Sequence, residues 1–399
     1  MGKLWLLVAV GIAYGSLYPF DFAGVYPHEG LLTHFLANAW ARPSRGDILA
    51  NLILYLPFGF VGVWALVRQL GSMRATVVVT LLGTLLSFMI EIVQVFTIGR
   101  TSSALDFGLN IVSTSIGAAI ACVIGRGGGL HIPQTGHKIR DPFAVILASC
   151  WVAYRLVPFV PTIDFQHIKD ALKPLLTLQT FSVWTCSRYV ICWLTFAYLL
   201  RVATARNVSH LALPVIGLAA VIAPIGIVGK VIRPEEIIAV MVASALWPAI
   251  TRSSLTRPTL LILLAAVVVG VGLAPFDFSG NYRAFAWLPF SGFITGTLEV
   301  GVFALFEKFF LYGTLIWLLM RSQIPLIPAT ILVAMLLMGL ELCQLLIPDR
   351  SPEITDTLIA LIAGWMCALL SPKPQRGAAN LRQSAASART QTLRRPGID

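Results

Sequence analysis

Two stretches of the sequence place the same four polar residue types at the same spacing between long apolar runs. These residues are Glu91, Gln94, Arg100 and Asp106 in the first stretch, and Glu341, Gln344, Arg350 and Asp356 in the second. Gln follows Glu by three residues, Arg follows Gln by six, and Asp follows Arg by six in both. Because the chain has only 18 acidic residues, this match predicts an internal repeat.

The chemistry of this pattern begins with the cost of a carboxyl group in an apolar helix, roughly 2.5–3.5 kcal/mol on insertion scales. Glu91 and Gln94 share one helix face, while Arg100 and Asp106 fall in and after a short polar break. We expect two helix ends to meet there, at the membrane surface. Paired carboxyls can act as acid and base, and an Arg beside helix N-termini can bind phosphate or carboxylate. The alternative is structural: the polar residues fix helix register, and Asp106 and Asp356 cap their helices.

Composition sets the class of the protein. The chain has 399 residues, of which 57% are hydrophobic and 12% charged, with a mean hydropathy of +0.83. These values are typical of a polytopic membrane protein rather than a soluble domain. Membrane lipids are therefore the expected surroundings. The net charge of +11 does not require a nucleic-acid partner, because its distribution follows the membrane orientation described below.

Apolar segments predict an all-α, polytopic transmembrane helical bundle of about twelve helices. The segments cover residues 4–18, 48–68, 75–97, 105–125, 143–160, 183–202, 209–229, 234–250, 259–275, 299–320, 326–347 and 353–371. The connections between the first and second and between the fifth and sixth segments are the longest, and each has room for a short interfacial helix.

The repeat has three copies, each opening with an apolar helix that ends in Pro-Phe, at Pro19, Pro158 and Pro275. The copies are unit one (1–126), unit two (140–252) and unit three (257–371), followed by a tail (372–399) expected to be disordered and cytoplasmic. Unit two has Val221 and Pro224 at the Glu and Gln positions. Four helices per unit predict parallel repeats inserted in the same direction.

Unit one carries a set of motifs that resembles the VanZ-like family of membrane domains. The motifs are Pro19-Phe20-Asp21-Phe22, Asp47…Asn51…Tyr55…Pro57-Phe58-Gly59, Glu91…Gln94 and Arg100…Asp106…Asn110. Unit three resembles the family with departures, and unit two only in outline. The resemblance implies a cell-envelope setting and a link to glycopeptide (teicoplanin) resistance.

The second helix of each unit supplies a further candidate pairing residue. Lys308 and Tyr312 of unit three stand where unit one has Asn51 and Tyr55, and Arg188 takes the same place in unit two. We expect an ion pair between Lys308 and Glu341, and a hydrogen bond between Asn51 and Glu91. The ten candidate ligand-binding residues are Asn51, Glu91, Gln94, Arg100, Asp106, Lys308, Glu341, Gln344, Arg350 and Asp356.

Three functions fit these residues. The preferred one is binding of an envelope component, a lipid-linked or glycan group, at the extracytoplasmic face. The second is a membrane enzyme that uses Glu91 with Asp106, and Glu341 with Asp356, on a lipid-phosphate or glycan. The third is a secondary transporter, which the scarcity of paired mid-span Gly or Pro breaks disfavours. The sequence contains no Walker loop, no Ser-His-Asp set and no HExxH motif, so we expect no cofactor and no metal site.

Membrane orientation gives the first testable prediction. With both termini in the cytoplasm of a cell-membrane protein, the inner loops and termini carry about twice as many Lys and Arg as the outer loops. Reporter fusions after Lys138, Arg206 and Lys373 should therefore read cytoplasmic, and fusions near Arg42, Lys169 and Arg283 external. An external reading at the tail would contradict the twelve-helix topology.

Overall fold

A computed structural model describes residues 2–22, 45–97, 103–126, 141–157, 162, 164–175, 181–204, 212–227, 229–253, 255–278, 284–295, 298–348 and 350–370. These residues form fourteen α-helices. They are α1 (Gly2–Leu17), α2 (Arg45–Leu70), α3 (Ser72–Gln94), α4 (Ala104–Arg126), α5 (Pro142–Leu156), α6 (Phe165–Leu172), α7 (Val183–Thr204), α8 (Ala212–Ile222), α9 (Pro234–Arg252), α10 (Thr256–Leu273), α11 (Ser291–Thr295), α12 (Leu298–Arg321), α13 (Leu326–Gln344) and α14 (Thr355–Leu370).

The all-α class is confirmed, since the described residues contain no strand beyond two isolated β-bridges. Twelve of the helices coincide with the predicted apolar segments. Seven of the described helices are long and apolar enough to cross a membrane, and five more contribute apolar stretches of 10–17 residues, that of α2 being Leu54–Leu70. The chain is thus a helical membrane protein, while the number of crossings and the division into three units stay predictions.

One of the two additional helices, α6, lies in a connection where the sequence predicted a short helix. Asp164 precedes it and accepts a hydrogen bond from the backbone N–H of Gln166 at 3.0 Å, so it caps the helix. The other long connection (23–44), the linker 127–140 and the tail 372–399 lie outside the described residues.

Helices α1 to α4 enclose a hydrophobic core of their own, which includes Ile12, Tyr55 and Val79. Helices α2 and α4 approach so closely that a Cβ atom on Gly59 would lie 2.1 Å from the carbonyl oxygen of Thr114. Gly117 on α4 is in the same position toward α2. Glycine is needed at this crossing because membrane helices gain their association energy from close packing.

A second core is shared by units two and three and runs without a break from Phe143 to Cys367. Helix α5 packs against α12, and α7 packs against α10. The first helix of each unit therefore contacts the second helix of the other. The rings of Trp151 and Phe310, tilted by 31° with their centres 4.8 Å apart, lie at the α5–α12 contact.

The close α2–α4 crossing predicts that replacing Gly59 by Ala destabilises the protein more than replacing Gly11 by Ala. Gly59→Ala should destabilise the protein by about 1–3 kcal/mol, because the new methyl group meets backbone atoms that cannot rotate away. Gly11→Ala on α1 is the matched control, since a methyl group added there would meet no atom within 4 Å. Thermal unfolding in detergent would measure both, and equal melting temperatures would contradict the close crossing.

Candidate functional site

The break between α13 and α14 is bridged by a buried carboxyl group. Glu341 lies in the last turn of α13 and is 3% exposed. Its Oε2 accepts a hydrogen bond of 2.8 Å from the backbone N–H of Glu353, two residues before α14 begins. The N-terminus of a helix leaves several N–H groups without intrahelical partners and favours a nearby negative charge. The carboxylate therefore joins the end of one helix to the start of the next.

Unit one repeats this contact. Glu91 is also 3% exposed, and its Oε2 accepts a 3.0 Å hydrogen bond from the backbone N–H of Ser103, which directly precedes α4. In both units the bonded N–H follows the Glu by twelve residues. The two hydrogen bonds thus share the same spacing, while the internal repeat stays a prediction.

The Gln of each motif connects the third helix to the first. Gln94 Nε2 donates to the carbonyl oxygen of Ser16 at 2.8 Å, near the end of α1. Gln344 Nε2 donates to the carbonyl oxygen of Gly272 at 2.9 Å, near the end of α10. Each Gln thus satisfies one of the carbonyl groups that a helix C-terminus leaves free.

Arg350 also forms hydrogen bonds at the C-terminal end of α10. Its Nε donates to the carbonyl oxygen of Ala274 at 2.8 Å, and its Nη2 donates to that of Val271 at 2.6 Å. A cation at a helix C-terminus is favoured by the helix dipole and by these charge-assisted hydrogen bonds. Two of the donor positions that could hold a phosphate are therefore already used by the backbone.

The cation of α12 pairs with a different carboxylate from the expected one. Lys308 forms its ion pair with Asp356 in the first turn of α14, so the predicted pair with Glu341 is wrong. Asp356 also accepts a 2.6 Å hydrogen bond from the Tyr312 hydroxyl. The reason is that Glu341 Oε2 is directed to the break, whereas Asp356 opens α14, which packs directly on α12.

A cavity of about 220 Å³ lies among these side chains. Its polar lining consists of Glu307, Lys308, Tyr312, Glu341, Gln344, Arg350, Ser351, Glu353 and Asp356. Four carboxyl groups thus face two cations. The carboxyl groups of Glu341 and Asp356 are close enough to interact electrostatically, as are those of Glu91 and Asp106 in unit one. Among the described residues, no group of three or more His, Cys, Asp or Glu side chains could hold a metal ion.

The structure brings together most of the predicted site residues. Arg100 and the side chain of Asn51 lie outside what it describes, so the predicted Asn51–Glu91 hydrogen bond stays a prediction. Near Glu91, the Asn110 side chain donates to Ser87 Oγ at 3.0 Å.

Sequence reasoning missed Glu353, which lines the cavity and accepts hydrogen bonds from the Ser291 hydroxyl and the backbone N–H of Gly292. Its position three residues after Arg350 was the available signal. It also missed Glu307, whose partner is Arg188 of α7. Sequence alone could not show that α7 of unit two faces α12 of unit three.

The Lys308–Asp356 pair predicts unequal effects of removing the two carboxylates. Asp356→Asn leaves Lys308 without its partner and should cost toward the lower end of the ~3–5 kcal/mol found for broken buried pairs, because Lys308 is partly exposed. Glu341→Gln keeps an acceptor for the Glu353 N–H and should cost about 1 kcal/mol. Thermal unfolding in detergent, with the exposed Asp170→Asn as control, would measure both. A larger loss for Glu341→Gln would contradict the pairing.

Comparison with known proteins identifies a family for the N-terminal part of the chain. Residues 6–125 match the family model described as VanZ/LLP1. No curated protein matches the chain, and no solved structure does. The matched residues include most of α1, all of α2 and α3 and nearly all of α4, and with them Glu91, Gln94 and Asp106. The N-terminal part of this chain is therefore a VanZ-like membrane domain.

Proposed function

We propose that this VanZ-like membrane protein binds a component of the cell envelope, a lipid-linked or glycan group, in the cavity of unit three. The observation that carries the proposal is a cavity with charged walls at the helix ends of an otherwise apolar bundle. Polar groups at such a depth are costly and mark functional sites in membrane proteins.

The lining of the cavity favours a hydroxyl-bearing ligand. Carboxylates accept hydrogen bonds from hydroxyl groups, and the Lys308 ammonium can donate to them. The Tyr312 hydroxyl donates its hydrogen to Asp356, so its oxygen is left to accept from the ligand. Four carboxyls against two cations disfavour a free anion in this cavity. A volume of about 220 Å³ is below the roughly 300–1,000 Å³ of pockets for drug-sized ligands, so it suits one sugar-sized group and not a whole lipid-linked saccharide.

The distribution of basic residues supports an extracytoplasmic position for this cavity. The break between α13 and α14 lies at the end of the bundle opposite the predicted inner loops, and both termini are then cytoplasmic. A ligand that reaches the cavity from outside is a component of the envelope. A contribution to glycopeptide resistance would follow if the bound group is one that the antibiotic also engages.

A second candidate function is catalysis on the same ligand. The neighbouring carboxyls of Glu341 and Asp356 are a pair that could divide acid and base roles between them. Asp356 is held by Lys308 and Tyr312, whereas the Oε2 of Glu341 accepts a backbone N–H. Their environments therefore differ, as an acid and a base require.

Binding can be tested with purified full-length protein in a phosphate-free maltoside detergent. The probe is a polyprenyl diphosphate that carries a saccharide, and the reference is the same polyprenyl diphosphate without the sugar. We expect the saccharide-bearing probe to bind more tightly, and Tyr312→Phe and Glu341→Gln to weaken that binding about tenfold or more, which corresponds to roughly 1.4 kcal/mol.

Asp170→Asn on the exposed side of α6 is the control and should leave binding unchanged. Equal affinity for the two probes, or equal affinity of the Tyr312 and Glu341 variants and the wild type, would overturn the proposal. Chromatography of the probe after incubation separates the two candidate functions, since only an enzyme would convert it. Growth of cells in teicoplanin, with wild type against Glu91→Gln and Glu341→Gln, tests the resistance link.

A further inference from the structure

Unit two contains a charged cluster that is centred on arginine side chains, whereas the cavity of unit three is lined mainly by carboxyl groups. It lacks the Glu and Gln of the motif, and Arg155 occupies the last turn of its first helix, α5. Arg155 is 4% exposed. Its guanidinium lies over the rings of Trp151, Tyr189 and Trp193, at 4.8, 5.1 and 5.1 Å from their centres. An arginine is therefore enclosed by aromatic rings where the other units have Ser16 and Gly272.

Only one edge of this guanidinium is used. Arg155 Nη1 donates to Glu236 Oε2 at 2.6 Å, which holds the group in place from α9. The Nε and Nη2 atoms are buried and have no hydrogen-bond partner among the described residues. These two N–H groups form the side-on fork with which Arg binds two oxygens of one carboxylate or phosphate.

Other unpartnered donors surround the same place. Within the described residues, Arg188 Nε and the indole N–H groups of Trp151 and Trp193 are also buried without a hydrogen-bond partner. The two indole rings lie 5.8 Å apart, edge to face. All these groups are donors, and buried donors are almost always paired in folded proteins. A ligand that satisfies them would present several acceptor oxygens.

We propose that unit two binds a phosphate-type anion through the free fork of Arg155, with Arg188 as the second cation. Arg188 is itself positioned by Glu307 across the contact of α7 with α12. Lys230 adds a third positive charge at the edge of the cluster, 4.4 Å from the centre of the Phe303 ring. A cation or a neutral apolar group would leave the donors unsatisfied and would meet the guanidinium charges.

The two glutamates of the cluster are partly exposed. The side chains of Glu236 and Glu307 are 15% and 16% exposed, so the cluster is not sealed. Glu307 also lines the cavity of unit three, and its neighbour Lys308 belongs to the ion pair there. The anion site thus borders the cavity of unit three at Glu307 and uses different side chains to hold its ligand. It does not depend on a ligand being bound in that cavity.

Phosphate can reach the site as a free ion or as a lipid headgroup, and the experiment distinguishes the two. Full-length protein in phosphate-free maltoside detergent is titrated with inorganic phosphate, with phosphatidic acid, and with diacylglycerol as the phosphate-free lipid control. We expect phosphate or phosphatidic acid to bind and diacylglycerol not to. The stronger of the two binding probes identifies the source.

The key variant is Arg155→Lys, which keeps the charge beside Glu236 but removes the fork. We expect it to weaken phosphate binding about 10- to 100-fold while the melting temperature stays near that of the wild type. The double change Arg155→Gln with Glu236→Gln removes both charges together and should abolish binding. Arg201→Gln, in the last turn of α7 and away from the cluster, is the control and should bind normally.

Three results would overturn the anion site: no binding of phosphate or phosphatidic acid at millimolar concentration, unchanged binding in Arg155→Lys, or equal loss in Arg201→Gln. The first would mean that water alone occupies the donors. Glu341→Gln should leave phosphate binding intact, and Arg155→Lys should leave saccharide binding intact. Failure of this site and failure of the proposed function can therefore be told apart.

Discussion

The carboxylate that accepts a backbone N–H across a helix break is the contact on which the rest of units one and three depends. In a bilayer every backbone polar group must be satisfied within the protein, so two helix ends cannot meet there without substitutes for water. Glu91 and Glu341 supply the acceptor for the N–H groups at the start of the next helix. Gln344 and Arg350 supply donors for the carbonyl groups at the end of α10. The motif residues thus supply hydrogen-bond partners for the starts of α4 and α14 and for the end of α10.

This role leaves a smaller set of groups for a ligand. Glu341 Oε2, Gln344 and Arg350 bond to the backbone, so the groups left for a ligand are the second carboxyl oxygen of Glu341 and the polar side chains of α12 and α14. Lys308, Tyr312 and Asp356 form one hydrogen-bonded group across these two helices. Structural and functional uses of the motif are therefore not alternatives, since the helix termini that it satisfies are also the walls of the cavity.

The sequence predicted helix positions well because the spans are mostly apolar runs with polar or Pro-Gly boundaries and few internal charges, such as Glu307 and Lys308 in α12. Twelve apolar segments appear as helices, and the Asp164 cap was readable from its position after Pro-Phe. The sequence did not show which charged side chains would pair with each other. Lys308 lies within reach of both Glu341 and Asp356, and only the packing of α14 on α12 decides between them. Likewise, Arg188 and Glu307 are far apart in sequence, and nothing local indicates that their helices touch.

The two separate hydrophobic cores have a consequence for how the chain is made. Every residue of the first core precedes α5, so this core can close as soon as α4 has entered the membrane. The second core cannot close in the same way. The packing partner of α5 is α12, which is synthesised well over a hundred residues later. Until then Arg188 has no Glu307 to pair with. During this part of synthesis, a folded N-terminal domain is followed by helices that carry unpaired charges. Membrane chaperones can bind these helices, and membrane proteases can cleave them, until α12 is inserted.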